Sequence, residues 1–279
     1  MRSFLAFLFR QLFRIGIFKR RYYGFQKRIF KPLNLFRGVH KKIRYRGTIN
    51  MMLEVDDVNQ QRLYLARDLE EKEIRYLESE LHPGDIFIDL GGNIGQFTLV
   101  AARLVGDKGH VYSFEPWPEN FRALIKNIQL NQFGNVTAEK MAVADQDGSV
   151  SLHLDHAEKN KGMVTHYAMN YHSTEFVPTI SLDKYFSNKD LSSLKMMKID
   201  IEGGEFLALK GMKAILEKYK PLLLMEINPQ ILQHTQFTQA EIEAFLSGLG
   251  YKKFFLDEKG HVIETIMEGD TSYNYLYRQ

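Results

Sequence analysis

The feature that most constrains this chain is an alternation of short apolar runs with helical patterns between residues 86 and 256. IFIDL (86–90), HVYSFE (110–115), a run near Val136–Val143, MMKIDI (196–201) and PLLLMEI (221–227) read as strands. Gln96–Leu104, Glu119–Leu130 and segments from Glu205 to Tyr219 carry a helical pattern between them. Strands separated by helices pair in parallel, which predicts a mainly parallel sheet with helices on both faces. A helix at Thr238–Leu249 and strands YKKFFL (251–256) and SYNYLY (272–277) close the pattern. Upstream, two strands are expected around Ile43–Val55, then one helical stretch from Asn59 to Glu80 that His82-Pro83-Gly84-Asp85 stops. Asp155–Pro178, rich in His, Asn and Tyr, reads as irregular. Such sheets bind ligands outside the carboxyl ends of their strands.

Composition excludes several classes. With 279 residues, 44% hydrophobic and 25% charged, the chain is an ordinary globular one. The absence of cysteine excludes disulfides, thiolate metal sites and a cysteine nucleophile, and fits a reducing compartment. The net charge of +3 hides a division. Residues 1–53 hold 14 basic residues and no acidic one; the remainder has 23 basic against 34 acidic, a net of −11.

Residues 1–21 read MRSFLAFLFRQLFRIGIFKRR. Arg10 and Arg14 interrupt the apolar run, so it cannot span a bilayer, and no cleavage site of a signal peptide follows. On a helical wheel Phe4, Leu5, Leu8, Leu12 and Ile15 share one face, with Arg10, Arg14 and Arg21 nearly opposite. A basic helix with Phe and Leu on its other side suits the membrane interface. The expectation is a membrane surface bound through residues 1–40, and a cytoplasmic protein held peripherally at the inner face of the membrane. Two alternatives stand beside it: the helix packs on the body, or its interleaved aromatics and cations bind nucleic acid. The acidic body repels phosphate, so no nucleic-acid partner is expected.

The loop DLGGNIG (89–95) joins a strand to a helix and offers glycines and unpaired N–H groups to a ligand. It is not a dinucleotide fingerprint, and Asp89 would repel pyrophosphate; a cationic ligand suits it better. Glu115 ends the second strand, where a carboxylate accepts hydrogen bonds from ribose hydroxyls. Trp117 follows to lie against an adenine, and Ala142, Val143 and Asp145 end the third strand at the adenine edge.

KIDIEGGE (198–205) ends the fourth strand with Asp200, Glu202 and Glu205, and Glu226 ends the next. In a period-2 strand Asp200 and Glu202 point to the same side. They can take the proton of a hydroxyl as it is alkylated; holding a divalent cation such as Mg²⁺ is the lesser alternative. Glu205 is expected to start a helix and pair with a lysine such as Lys210. His153, His156, His166 and His172 lack zinc-motif spacing, so no metal set is assigned. The region holding them reads as a substrate-covering loop, with His166 and His172 as spare bases and Glu226 on the substrate rim.

DLGGNIGQFTLVAA, VYSFEPWPENFRALIKNIQLN, MAVAD, TISLDKYF, MKIDIEGGEFLALKGM and PLLLMEI follow one another as in the FkbM-type methyltransferases, which the chain resembles from about Pro83 to Leu256. The resemblance implies a class I, Rossmann-like fold: a mainly parallel seven-stranded sheet with helices on both faces, here with a basic amphipathic N-terminal helical arm. It implies S-adenosylmethionine as methyl donor and O-methylation of a sugar or other secondary metabolite. Asp89, Gly91, Asn93 and Gly95 would hold the donor's methionine part, Glu115 its ribose, and Ala142 and Val143 its adenine, with Asp200 and Glu202 facing the methyl. The family's loop usually has alanine where this chain has Gly92. The expected parts are an arm (1–40), a strand pair and helix (41–82) and a methyltransferase domain (83–279). The acceptor expected is a lipid-linked glycan, glycolipid or polysaccharide precursor; the alternative is an RNA-binding protein or RNA methyltransferase using the arm.

Overall fold

A computed structural model describes residues 1–19, 21–154, 164–165, 173–265 and 273–279. The chain opens with helices α1 (Arg2–Leu12), α2 (Gly16–Lys19) and α3 (Tyr22–Phe25), then a wide helical turn at Gln26–Phe30. A hairpin of β1 (His40–Tyr45) and β2 (Ile49–Glu54) leads to α4 (Val58–Leu65) and α5 (Glu71–Glu80). There follow β3 (Ile86–Leu90), α6 (Gln96–Val105), β4 (His110–Phe114), α7 (Pro118–Asn131), β5 (Val136–Glu139) and β6 (Ala142–Val143). Next come β7 (Gly148–Leu154), β8 (Val164–Thr165), β9 (Ser173–Ile180), α8 (Leu182–Tyr185) and β10 (Leu194–Ile199). The chain continues with α9 (Glu205–Gly211), α10 (Lys213–Tyr219), β11 (Leu222–Glu226) and α11 (Pro229–Leu232). Last are α12 (Gln239–Gly248), β12 (Lys252–Leu256), β13 (Val262–Ile263) and β14 (Asn274–Arg278).

The main sheet has the order β13-β12-β14-β11-β10-β3-β4-β5. β5, β4, β3, β10 and β11 pair in parallel, while β14, β12 and β13 pair antiparallel at one edge. The seven expected strands are therefore joined by one two-residue addition, β13. From β3 the chain winds outward through β4 and β5, then returns to place β10 on the other side of β3. That reversal opens a crevice at the carboxyl ends of β3 and β10. Helices cover both faces. One apolar layer joins α5, α6 and α7 to the hairpin and the N-terminal helices; the other joins α8, α9, α10 and α12.

Three expectations change. The stretch from Asn59 to Glu80 is two helices, broken where Arg67 and Glu70 take left-handed backbone. The run at 136–143 divides, and its second half joins another sheet, β6-β9-β7-β8, of which β8 and most of β9 come from the segment read as irregular. Strand β10 ends at Ile199, so Asp200 and Glu202 lie on the loop after it. The arm packs on the body through one face, where Ala6 and Phe13 are fully buried and Phe9 packs with them, whereas Phe4 (62% exposed), Phe7 (49%) and Leu8 (45%) point outward. Arg10 lies on the inward side, its guanidinium 4.4 Å above the Tyr64 ring.

The hairpin is held by side chains rather than by another strand. Asn127 Oδ1 accepts from the Met52 N–H (2.7 Å) and its Nδ2 donates to the Ile94 carbonyl (2.9 Å). Asn131 Oδ1 accepts from the Asn50 N–H at 2.7 Å, and its Nδ2 donates to the Asn50 carbonyl at 2.8 Å. These bonds satisfy backbone groups that β2 exposes on its free edge. Asn127→Ala should cost about 1–3 kcal/mol, because buried backbone groups lose their partners. Denaturant unfolding measures this; an unchanged midpoint would show that Asn127 does not anchor the hairpin.

Candidate active site

The crevice is built around the loop after β3. Gly91 has φ +84°, and a Cβ there would lie 1.9 Å from the Asp200 carbonyl oxygen, so only glycine lets this loop pack on the loop after β10. A Cβ on Gly92 would lie 2.2 Å from Ser113 Oγ, which is 2.9 Å from Thr98 Oγ1. This packing suits glycine at the position where alanine is usual in the resemblance. Asn93 takes left-handed backbone (φ +49°) and donates its N–H to Glu115 Oε2 at 2.8 Å. Gly95 (φ +98°) lies at the start of α6 against Leu124 and, unlike Gly91 and Asn93, lines neither cavity of the site.

Two cavities meet here. The first, about 130 Å³, is lined by Leu90, Phe114, Met141, Ala142, Val143 and Leu152 on its apolar side. Its polar groups include Asn93, Glu115, Asn120, Asp200 and Glu202. Glu115 is buried, and its second oxygen accepts from the Trp117 N–H at 2.8 Å. Burial pushes its carboxyl up to about 7, although those N–H donors pull it down. Trp117 does not line this cavity: it packs against Leu152 and Val177, and its Nε1 has no hydrogen-bond partner. The tight turn on which it begins α7 aims the indole beneath the second sheet. The flat apolar wall is supplied instead by Phe114 and Met141–Val143.

The second cavity, about 400 Å³, lies beyond Asp200 and shares Gly91, Asn93, Asp200 and Glu202 with the first. It adds Asp89, Lys198, Glu226 and Asn228 from the sheet, and Tyr23, Arg62 and Glu70 from the N-terminal part. Asp89 therefore faces this side. Its Oδ2 accepts from Thr98 Oγ1 at 2.6 Å, and its Oδ1, fully buried, has no hydrogen-bond partner.

Lys198 was missed by the sequence reading, yet it organises this rim. It is 6% exposed, its Nζ donates to Asp200 Oδ2 at 2.8 Å, and it lies 4.9 Å above the Phe97 ring. A lysine inside an apolar strand, two residues before an acid, was the available signal. Burial disfavours its charge, but Asp200, Glu70 and Asp89 outweigh that and hold the ammonium protonated. Burial likewise works against the Asp200 anion, and Lys198 and Glu226 overcome it, keeping Asp200 below the ordinary range. Glu226 hydrogen-bonds to Asp200; that charge first, then burial, pushes it up to about 10, so it carries a proton and donates. Burial, with Asp200 and Glu205, pushes Glu202 well above the ordinary carboxylate range.

Glu202 takes left-handed backbone (φ +52°), and this replaces the period-2 argument that brought it beside Asp200. Glu205 fixes the turn: its Oε1 accepts from the N–H groups of Ile201 (3.3 Å) and Gly203 (3.1 Å). The expected pairing with Lys210 does not form; Lys210 lies 4.0 Å from Asp145. His166 and His172, with His156, lie outside the described residues. His153 is on β7, 3.0 Å from Thr174 Oγ1. Among the described residues no three histidines or acids are grouped as a metal ion requires.

The strand order and the crevice beside β3 and β10 are those of the class I methyltransferase fold. The chain matches the Methyltransferase FkbM domain over residues 89–253 and belongs to that family. It is 27% identical over 168 residues to the hexuronic acid methyltransferase AglP of Haloferax volcanii, covering 60% of this chain and 66% of the relative. It is also 27% identical over 149 residues to Methyltransferase 1 of Beauveria bassiana, covering 47% and 59%. The chain thus spans under two thirds of these curated relatives. A crystal structure of methyltransferase FkbM from Methylobacillus flagellatus is similar at a TM-score of 0.46 and 15% identity, covering 78% of this chain and 52% of that one.

Glu205 gives the site a pH signature. Burial pushes its carboxyl up to about 7 from an ordinary 4.5, so the folded chain binds more protons than the unfolded one across that window. Its contribution to stability is complete below about pH 4.5 and is lost as pH rises through 7. Glu205→Gln keeps an oxygen for both N–H donors and cannot ionise. It should flatten the fall in thermal stability between pH 5 and 8 by up to about 1.4 kcal/mol per pH unit. An identical pH profile in variant and parent would contradict the assignment.

Proposed function

We propose that this chain transfers a methyl group to a hydroxyl of a sugar in a lipid-linked glycan, glycolipid or polysaccharide precursor. The observation that carries the reading is the meeting of a partly apolar cavity and a larger polar one at Asp200 and Glu202. The hexuronic acid specificity named for the Haloferax relative supports a sugar as the acceptor class.

The residues of the first cavity fit the donor. Apolar walls suit a purine, Glu115 and Asn120 a ribose, and the anion of Asp200 a positively charged sulfur. Gly91 and Asn93 would hold the methionine part, and Phe114, Met141, Ala142 and Val143 the adenine. When bound, S-adenosylmethionine supplies an electrophilic methyl group. The acceptor would occupy the second cavity, where positioning two reactants in contact supplies much of the rate.

Asp200 is the base in this reading. Lys198 and the protonated Glu226 hold it as an anion, and it accepts the hydroxyl proton as the acceptor oxygen is alkylated. Glu202, with its raised carboxyl, orients the acceptor by donating a hydrogen bond. Asp200 thus loses its negative charge as the donor's positive charge disappears, and the total charge of the site is unchanged.

The arm supplies the address. Phe4, Phe7, Leu8, Ile15 and Ile17 are exposed beside Arg2 and Arg14 while the opposite face is packed on the body, which suits an anionic membrane surface. Among the described residues no helix is long and apolar enough to cross a membrane. Attachment through residues 1–40 would hold the enzyme at the inner face of the membrane, where a lipid-linked acceptor lies.

Asp200→Asn should lower methyl transfer by about 10²–10⁴-fold and also weaken S-adenosylmethionine binding, because the anion facing the sulfonium is lost. Transfer of labelled methyl to a glycan and lipid extract, with calorimetry of donor binding, measures both; undiminished transfer excludes Asp200 as the base. The full chain should also sediment with phosphatidylglycerol vesicles and be released by combined Phe4→Ser, Phe7→Ser and Leu8→Ser. A parent chain that stays in the supernatant overturns the membrane reading.

A further inference from the structure

The second cavity has two walls of different origin. Lys198, Asp200, Glu202 and Glu226 line one side. Tyr23, Arg62 and Glu70 line the other, and all three lie before residue 89, where the family match begins. Donor binding and proton removal leave this second wall without a task.

Its residues are arranged for contact. The Tyr23 ring is 60% exposed, with the Arg62 guanidinium 5.1 Å from its centroid and donating to its hydroxyl. Arg62 is fixed from behind by Asp68, through Nε at 3.0 Å. Glu70 is held in left-handed backbone (φ +49°), a strained state for a side chain with a Cβ that persists where surrounding structure imposes it, often at ligand sites. Burial pushes its carboxyl up to about 8, against the pull of Lys198.

We propose that Tyr23, Arg62 and Glu70 form the subsite that selects the acceptor, and that its ligand is an uncharged pyranose ring. This rests on the second cavity being the acceptor site. The open ring offers a flat surface to the C–H face of a pyranose, and Arg62 and Glu70 offer hydrogen bonds to its hydroxyls. A sugar carboxylate would be poorly received. Lys198 and Arg62 are the only cations lining the cavity among the described residues, and each is already paired with an aspartate. The specificity of this enzyme thus lies outside its family domain, and its sugar differs in charge from a hexuronic acid.

The test uses the full chain saturated with S-adenosylhomocysteine and calorimetric titration with methyl glycosides of glucose, galactose, mannose and glucuronic acid. At least one neutral glycoside should bind, and more tightly than the glucuronoside. Tyr23→Ala should weaken it about tenfold, the worth of an aromatic contact, while Tyr23→Phe retains it and S-adenosylhomocysteine affinity is the same in all three. Tyr23 is exposed, so truncation leaves the fold intact, which thermal unfolding checks. Tighter binding of the glucuronoside, an unaffected Tyr23→Ala, or no glycoside binding beside normal S-adenosylhomocysteine binding each overturns the proposal. Failure of S-adenosylhomocysteine itself to bind overturns both this subsite and the donor reading beneath it.

Discussion

The active end of this molecule depends on one buried ion pair, Lys198 with Asp200. Burying two charges is costly unless geometry and further hydrogen bonds compensate. Here a 2.8 Å contact, the Phe97 ring over the ammonium and the proton on Glu226 supply that compensation. Glu70, Asp89, Glu202 and Glu226 gather around the same pair, and one lysine balances a cluster of acids. Take the lysine away and protons must be taken up in its place, because several close carboxylates cannot all ionise.

The fold delivers this pair to a useful place. Reversal of strand order between β3 and β10 opens the crevice, and the loop carrying Gly91 closes onto the carbonyl of Asp200. The same aspartate therefore borders both cavities, a single anion between the two. The N-terminal helices complete the second cavity and present apolar and basic groups outward. Under the proposed function, chemistry, acceptor recognition and membrane address are neighbouring layers.

Much of this was legible in the residues. Period and punctuation placed β3, β4, β10 and β11 within two residues, because apolar runs buried on both faces leave a continuous signal. Asp200, Glu202, Glu226, Glu115, Ala142 and Val143 line the two cavities. What was not legible required three dimensions. The second sheet pairs β9 with β6 and β7 across a stretch whose composition looks irregular. Trp117 packs against Leu152 and Val177, and Gly95 packs against Leu124. The inner face of α1 is set by Ala6, whose small side chain allows close approach and which hydrophobicity alone ranks below Leu8 or Phe4. Lys198, Glu70, Arg62 and Tyr23 come from four separated segments, and local pattern does not join them.

The role of the ion pair is tested most directly by counting the protons exchanged when S-adenosylmethionine binds. Calorimetry in buffers of different ionisation enthalpy gives that number for the parent chain and for Lys198→Met. If Lys198 keeps Asp200 ionised, the parent should release few protons and Lys198→Met should release close to one more, as the cationic donor takes over the lysine's task. Equal proton counts in the two proteins would contradict a charge-holding role for Lys198, and with it the origin of the base.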